Sequence, residues 1–218
     1  MRQPAVDYRE FRLSRINEPR FAHLKLLLGW VVYFALYILT ENLIPQEKCY
    51  AVHIPLDDVI PFHEFFLIPY VFWYLLLLFS LGYFLLYHVE SFKQFQTYLI
   101  ITQLTAMVIY ILLPSRQDLR PTVFPRDNFL TDGVRLLYGI DTNTGVCPSM
   151  HVAFSIAMVS AWTKEKGIRL WWKGFVITAA VLICLSTTFI KQHSAADFFA
   201  ALPVCLLAEY LVYGRKTP

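Results

Sequence analysis

Phe65-Phe66-Leu67-Ile68-Pro69-Tyr70-Val71-Phe72-Trp73-Tyr74-Leu75-Leu76-Leu77-Leu78-Phe79-Ser80-Leu81-Gly82-Tyr83-Phe84-Leu85-Leu86-Tyr87 runs for 23 residues without a charged side chain. A helix needs about 20 apolar residues to cross a bilayer core, and a run this uniform offers no polar face to water. Outward from it, comparable runs occupy 21–40, 98–113, 150–163, 170–190 and 195–213, the one at 150–163 being short enough to need flanking residues. Of the 218 residues, 57% are hydrophobic, 17% aromatic and 16% charged, and the mean hydropathy is +0.48. That composition excludes an ordinary soluble domain. The runs are too long and too uniform for barrel strands, so helices must satisfy the backbone in lipid. The expected fold is an all-α integral membrane protein with six transmembrane helices, one domain over 1–218, led by a cytoplasmic segment at 1–20. No repeat, low-complexity tract or nucleic-acid signature is present.

The first run is read as a span and not as a cleaved signal. Its apolar stretch, 26–39, is at the upper end for a signal core, and Thr40-Glu41-Asn42 offers no small-residue cleavage site. Charge then sets the orientation. Arg2, Arg9, Arg12, Arg15, Arg20 and Lys25 precede the first span, whereas Glu41, Glu47, Asp57, Asp58 and Glu64 follow it against Lys48. The positive-inside rule puts the N-terminus in the cytoplasm. Alternation from there keeps Lys164, Lys166, Arg169 and Lys173 inside, with Arg215 and Lys216, so both termini are expected there in a multi-pass protein of the cell membrane.

The loop 114–147 breaks the rule, because it should lie outside yet carries Arg116, Arg120, Arg126 and Arg135. For Arg126 and Arg135 the expectation is pairing with Asp118, Asp127, Asp132 and Asp141 of the same loop. Arg120 falls on the same face as two histidines, and a guanidinium is a fork of donors suited to phosphate oxygens. Those histidines are His151, in Cys147-Pro148-Ser149-Met150-His151, and His193, in Lys191-Gln192-His193-Ser194-Ala195-Ala196-Asp197. On a helix, positions 193 and 197 share a face within hydrogen-bond reach, which is how a carboxylate orients an imidazole nucleophile or base. Ionisable groups at such depths in a membrane mark function.

Arg120-Pro121, Pro148-Ser149-Met150-His151, and Ser186 with His193 and Asp197 resemble the three signature segments of the type 2 phosphatidic acid phosphatase superfamily, K-x6-RP, P-S-G-H and S-R-x5-H-x3-D. The resemblance covers the third to the sixth span, in the family's order. It implies a six-helix bundle and phosphoryl transfer through a phosphohistidine, with neither metal nor other cofactor. Carried over, His193 is the nucleophile, Asp197 its orienting partner and His151 the acid for the leaving oxygen, while Arg120, Ser149 and Met150 cradle the phosphate. The chain departs from the pattern at Leu113 for the lysine, Thr187 for the arginine and Met150 for the glycine. Arg116 and Lys191 are the nearby substitutes for the two cations. The departures resemble the divergent branch that includes sphingolipid phosphotransferases, where a lipid hydroxyl accepts the group.

The expected activity is hydrolysis of a lipid phosphomonoester or diphosphate at the outer leaflet, such as phosphatidate, phosphatidylglycerol phosphate or an isoprenyl diphosphate. A lipid phosphotransferase on the same residues is the alternative. Two other classes compete: a proton-coupled carrier relaying protons through His193 and Asp197, and a zinc hydrolase with His151, His193 and Asp197 as ligands. His23, His53, His63 and His88 read as interfacial or paired core groups, and Glu209 as snorkelling or paired. Trp30, Tyr33 and Tyr37, like Trp171 and Trp172, read as interface belts and packing. Cys184 and Cys205 are small core residues. Cys49 and Cys147 share the outer face, where a disulfide between them is one option. The segment 49–66, rich in Pro and Phe, is read as a surface lid or substrate guide.

Overall fold

The computed structural model describes residues 3–214, so Arg2, Arg215 and Lys216 of the charge argument lie outside the described residues. Eight α-helices follow one another: α1 Leu28–Leu43, α2 Pro55–Val59, α3 Leu67–Tyr87, α4 Val89–Leu112, α5 Phe129–Ile140, α6 Met150–Lys164, α7 Leu170–Phe189 and α8 Ala195–Glu209. Among the described residues the one sheet is a minimal parallel pair, β1 Tyr50–Ala51 with β2 Ser115–Arg116.

Among the described residues five helical stretches are long and apolar enough to cross a membrane: Ala22–Leu43, Glu64–Tyr87, Val89–Leu112, Leu170–Phe189 and Ala195–Gly214. The sixth expected span does not reach that length. α6 has 15 residues, about 22 Å at the usual helical rise. Its side chains explain why it is nonetheless apolar, since all but a few from Met150 to Trp162 are buried against neighbouring helices. A helix surrounded by protein needs no lipid-length exterior.

Contacts at the helix ends fix the alternation. The start of α6 meets the end of α4, where the Tyr110 hydroxyl donates to Pro148 O at 2.6 Å, and the start of α8, where Ser149 N donates to Asp197 O at 3.1 Å. The end of α1 joins them through Thr144 Oγ1, which donates to Glu41 at 2.8 Å. At the opposite end, Glu165 after α6 takes His88 Nδ1 at 3.0 Å and the Ser91 hydroxyl, both at the α3–α4 junction. Glu209, ending α8, pairs with Lys164 at 2.5 Å and accepts from Ser160 at 2.6 Å, so it is paired as expected. α1, α4 and α7 therefore run toward the histidine end, and α3, α6 and α8 away from it. The basic N-terminal segment packs at the far end, with Ala5 N donating to Leu86 O at 2.7 Å and Tyr8 OH to Leu85 O at 2.8 Å.

The bundle core is aromatic. Trp162 stacks on Phe79 and contacts Phe84 at 4.6 Å between centroids, while its buried indole N–H donates to Ser80 Oγ at 2.9 Å. α1 is the outlier, with no buried residue. It closes on α4 at Gly29, where a Cβ would stand 2.5 Å from Ile100 Cγ1, and elsewhere leaves a cleft between itself and α3.

Two expectations are corrected, for Arg126 and for the α1 aromatics, and the open option of a disulfide is settled by free thiols. Arg126 pairs with the buried Glu64 and with no aspartate of its own loop: two parallel bonds of 2.6 and 2.7 Å join the N-terminal ends of α3 and α5. Arg135 does bind Asp127 and Asp132, at 3.0 and 2.6 Å. Cys49 and Cys147 are free thiols, Cys49 turned toward Pro45 O at 3.7 Å and Cys147 toward Asp197. Trp30, Tyr33 and Tyr37 are no surface belt, because they line the cleft, where Trp30 Nε1 donates to Gln96 Oε1 at 3.1 Å. Of the other histidines, His23 meets Tyr8 OH and His53 meets Asp58, each at 2.8 Å, and His63 packs on Phe65 and Phe66.

Candidate active site

Ser194 starts α8, its hydroxyl accepting from Ala196 N at 3.1 Å, while Asp197 reaches back to accept from Ser194 N at 3.1 Å. This reciprocal box places Asp197 in the first turn, one of whose donors it satisfies. The same Oδ2 meets His193 Nδ1 at 3.0 Å, and Asp197 is 0% exposed. Its carboxylate thus engages Nδ1 and leaves Nε2 as the ring nitrogen free for chemistry. The Cys147 thiol stands beside Asp197, and burial pushes that thiol up to about 12, so it remains a neutral donor.

His151 occupies the first turn of α6, which Ser149 caps by accepting from Val152 N at 3.5 Å. Its ring lies 4.4 Å from Tyr70, 4.3 Å from Trp73 and 5.5 Å from His193. His151 Nε2 is buried without a hydrogen-bond partner. Two imidazoles so spaced can flank one reacting centre.

Below them opens a cavity of about 690 Å³. His151, His193, Met150, Gln192 and Asp141 stand at its polar end, and the walls descend through Trp73, Leu77 and Leu81 to Leu85. From Trp73 to Leu85 is about 18 Å along the helix, enough for a long hydrocarbon tail.

The expected phosphate-binding cations stand elsewhere. Arg120 donates to the backbone oxygens of Tyr138, Asp141 and Thr142 at 3.1, 2.9 and 2.8 Å and lies over the Tyr138 ring at 4.6 Å. Burial draws its pKa below the usual arginine value, with Asp141 opposing. Arg116 binds Asp118 at 3.1 Å and Gln46 O at 3.1 Å. Lys191 donates to Asp57 O and Ile60 O at 2.8 and 2.5 Å, and burial lowers its pKa. Ser149 and Met150 are both buried at the histidine end.

The segment 49–66 is tied down by more than packing, because Asp57 accepts from Ser194 Oγ at 2.6 Å and Ala195 N at 2.7 Å. Asp57 was not singled out among the site residues, nor was Asp141, which accepts from Gln192 Nε2 at 2.7 Å and Tyr70 OH at 3.3 Å. No local signal marks either. Among the described residues no three His, Cys, Asp or Glu side chains cluster as metal ligands would. Comparison with family models, curated proteins and solved structures finds no match for this chain.

Proposed function

We propose that this is a multi-pass membrane enzyme that cleaves a lipid phosphate ester through a phosphohistidine on His193, in the manner of the superfamily its motifs resemble. The observation carrying this reading is the His193–Asp197 pair at 3.0 Å, beside His151, at the head of an apolar cavity. Nε2 of His193 attacks phosphorus while the bond to the lipid oxygen breaks, and His151 protonates that oxygen. Water then attacks phosphorus, returns a proton to His151 and breaks the P–N bond. Asp197 stabilises the imidazolium character that develops on His193. In this reading α6 completes six passages, both termini face the cytoplasm and the histidines open to the outer leaflet.

A lipid phosphotransferase is the second reading, favoured by a specific observation. Among the described residues neither lysine nor arginine lines the cavity, and its walls are those of a site for a lipid alcohol as much as for water. Purified protein incubated with a phospholipid panel, with products read by mass spectrometry, tests the proposal. His193→Ala should abolish turnover, and Asp197→Asn should lower it by up to about 10⁴ by disturbing the tautomer. Activity should survive a strong chelator. Loss restored by zinc would sink the phosphohistidine. Phosphate release that waits on an added lipid alcohol would select the transferase.

A further inference from the structure

A second, smaller cavity lies at the end of the bundle opposite the histidines, a groove of about 210 Å³ where α3, α6 and α7 meet. α3 contributes Phe79 and Tyr83, and α7 contributes Trp171 and Trp172. Between them sits Trp162 of α6, stacked on Phe79 at 6.0 Å and meeting Trp172 edge-on at 5.3 Å. Deeper along the same two helices the aromatic surface continues through Phe175, 5.1 Å from Trp172 and 6.1 Å from Phe72. Phe79, Trp171 and Phe175 are 48, 64 and 41% exposed, so this surface faces outward from the bundle.

The rim is basic. Lys166 and Arg169, in the turn between α6 and α7, are exposed and, among the described residues, stand outside the ion pairs. The neighbouring Glu165 is occupied by His88 Nδ1 at 3.0 Å and by the Ser91 hydroxyl. α7 begins on Arg169 with no side-chain cap and no acidic residue in its first turn, so the positive end of its dipole adds to the same sign. Trp172 supplies a separate indication. Its indole N–H is buried and finds no acceptor in the protein, whereas that of Trp162 finds Ser80 Oγ at 2.9 Å.

We propose that this groove binds an anionic phospholipid of the adjacent leaflet, with its phosphate at Arg169 and the start of α7 and an acyl chain along Phe79, Tyr83 and Trp172. Charge and shape select that occupant together: an unpaired cationic rim above an aromatic trough matches a negative head joined to an apolar tail. A zwitterionic lipid brings an ammonium that the rim repels, and a soluble anion leaves the trough bare. The site stands at the opposite end from His151 and His193, so it is independent of the chemistry proposed there.

The test is equilibrium lipid binding by the full-length protein in neutral maltoside micelles, with bound lipid counted by native mass spectrometry. Dioleoylphosphatidylglycerol and dioleoylphosphatidylcholine, which share their chains, are titrated separately, and soluble glycerol 1-phosphate is offered as a competitor. One phosphatidylglycerol should be held at least about fivefold more tightly than phosphatidylcholine, the factor that a single basic contact supplies, and glycerol phosphate should not displace it. Arg169→Gln should remove the preference, weakening phosphatidylglycerol by about 5- to 30-fold. The arginine is exposed and caps nothing with its side chain, so the variant should fold. Arg12→Gln, at the same end of the bundle but outside the groove, should leave the preference unchanged. Equal affinity for the two lipids overturns the proposal, as does an unaltered preference in Arg169→Gln. Equal losses in Arg169→Gln and Arg12→Gln overturn it too, because diffuse surface charge then accounts for the binding. Displacement by glycerol phosphate would make this a site for a free phosphate and not for a lipid.

Discussion

Lys191 adopts φ 54° immediately after α7, a left-handed conformation that glycine usually supplies at a helix end. Gln192 N and His193 N both donate back to Thr187 O, at 2.9 and 3.0 Å, so this turn aims the histidine. A side chain there costs about 1–2 kcal/mol relative to glycine, and the ammonium offsets the strain by binding Asp57 O and Ile60 O. Lys191→Ala keeps the strain and loses the anchor, whereas Lys191→Gly loses both. Lys191→Gly should accordingly unfold at a higher temperature than Lys191→Ala, by roughly 1 kcal/mol of stability. Equal stabilities, with turnover lost alike in both, would instead assign the ammonium to the phosphate. The lysine's nearness to the site was legible because it lies two positions before His193. Its hydrogen bonds were not, since Asp57 is 134 residues away.

At the scale of elements, α8 has two caps. Ser194 and Asp197 form the local one, and Asp57, 3% exposed and carried by α2, supplies a second carboxylate to the same N-terminus. A negative group suits the positive end of a helix dipole. Asp57→Ala should strand the Ser194 hydroxyl and Ala195 N, costing about 1–2 kcal/mol locally. Hydrogen exchange should quicken at 194–197 with turnover falling alongside it, and Asp57→Asn should restore part of both. Unchanged exchange there would mean that the local box suffices. The expected helix face shared by His193 and Asp197 does not hold, because His193 stands before the Ser194 cap that starts α8 and Asp197 reaches back to it. Their pairing could nonetheless be read from their spacing. The clamp could not, as 137 residues separate Asp57 from Ser194. Arg126 was assigned to neighbouring aspartates for the same reason, while Glu64, 62 residues away, was the partner. α6 is the converse case, since hydropathy records that a helix is apolar and not whether lipid or protein surrounds it.

For the whole molecule, the helix directions and the charges make a joint statement about sidedness. Arg9, Arg12, Arg15, Arg20 and Lys25 belong to the segment packed at the far end of the bundle, and Lys93, Lys164, Lys166, Arg169 and Lys173 gather in the first or last turns and loop of that end. The arginines of 114–147 are at the histidine end, where Arg116, Arg126 and Arg135 are matched by Asp118, Glu64, Asp127 and Asp132 and Arg120 is held by backbone oxygens. Arg9, Arg15, Arg20, Lys93 and Lys164 are paired with carboxylates as well. Among the described residues, Arg12, Lys25, Lys166, Arg169 and Lys173 therefore stand outside the ion pairs opposite the histidines, against Lys48, Arg120 and Lys191 on the histidine side. This smaller asymmetry is of the kind that orients helices in a membrane. In the proposed six-pass topology, 122–130 and 164–168 lie on opposite sides. With Cys49, Cys147, Cys184 and Cys205 replaced, single cysteines at 122–130 should react with an impermeant thiol reagent on intact cells, and those at 164–168 only after permeabilisation. The inverse pattern would turn the histidine end toward the cytoplasm and leave its chemistry intact on the other leaflet. Labelling of both stretches from one side would remove α6 from the passages, leaving an odd number of crossings and the two termini on opposite sides.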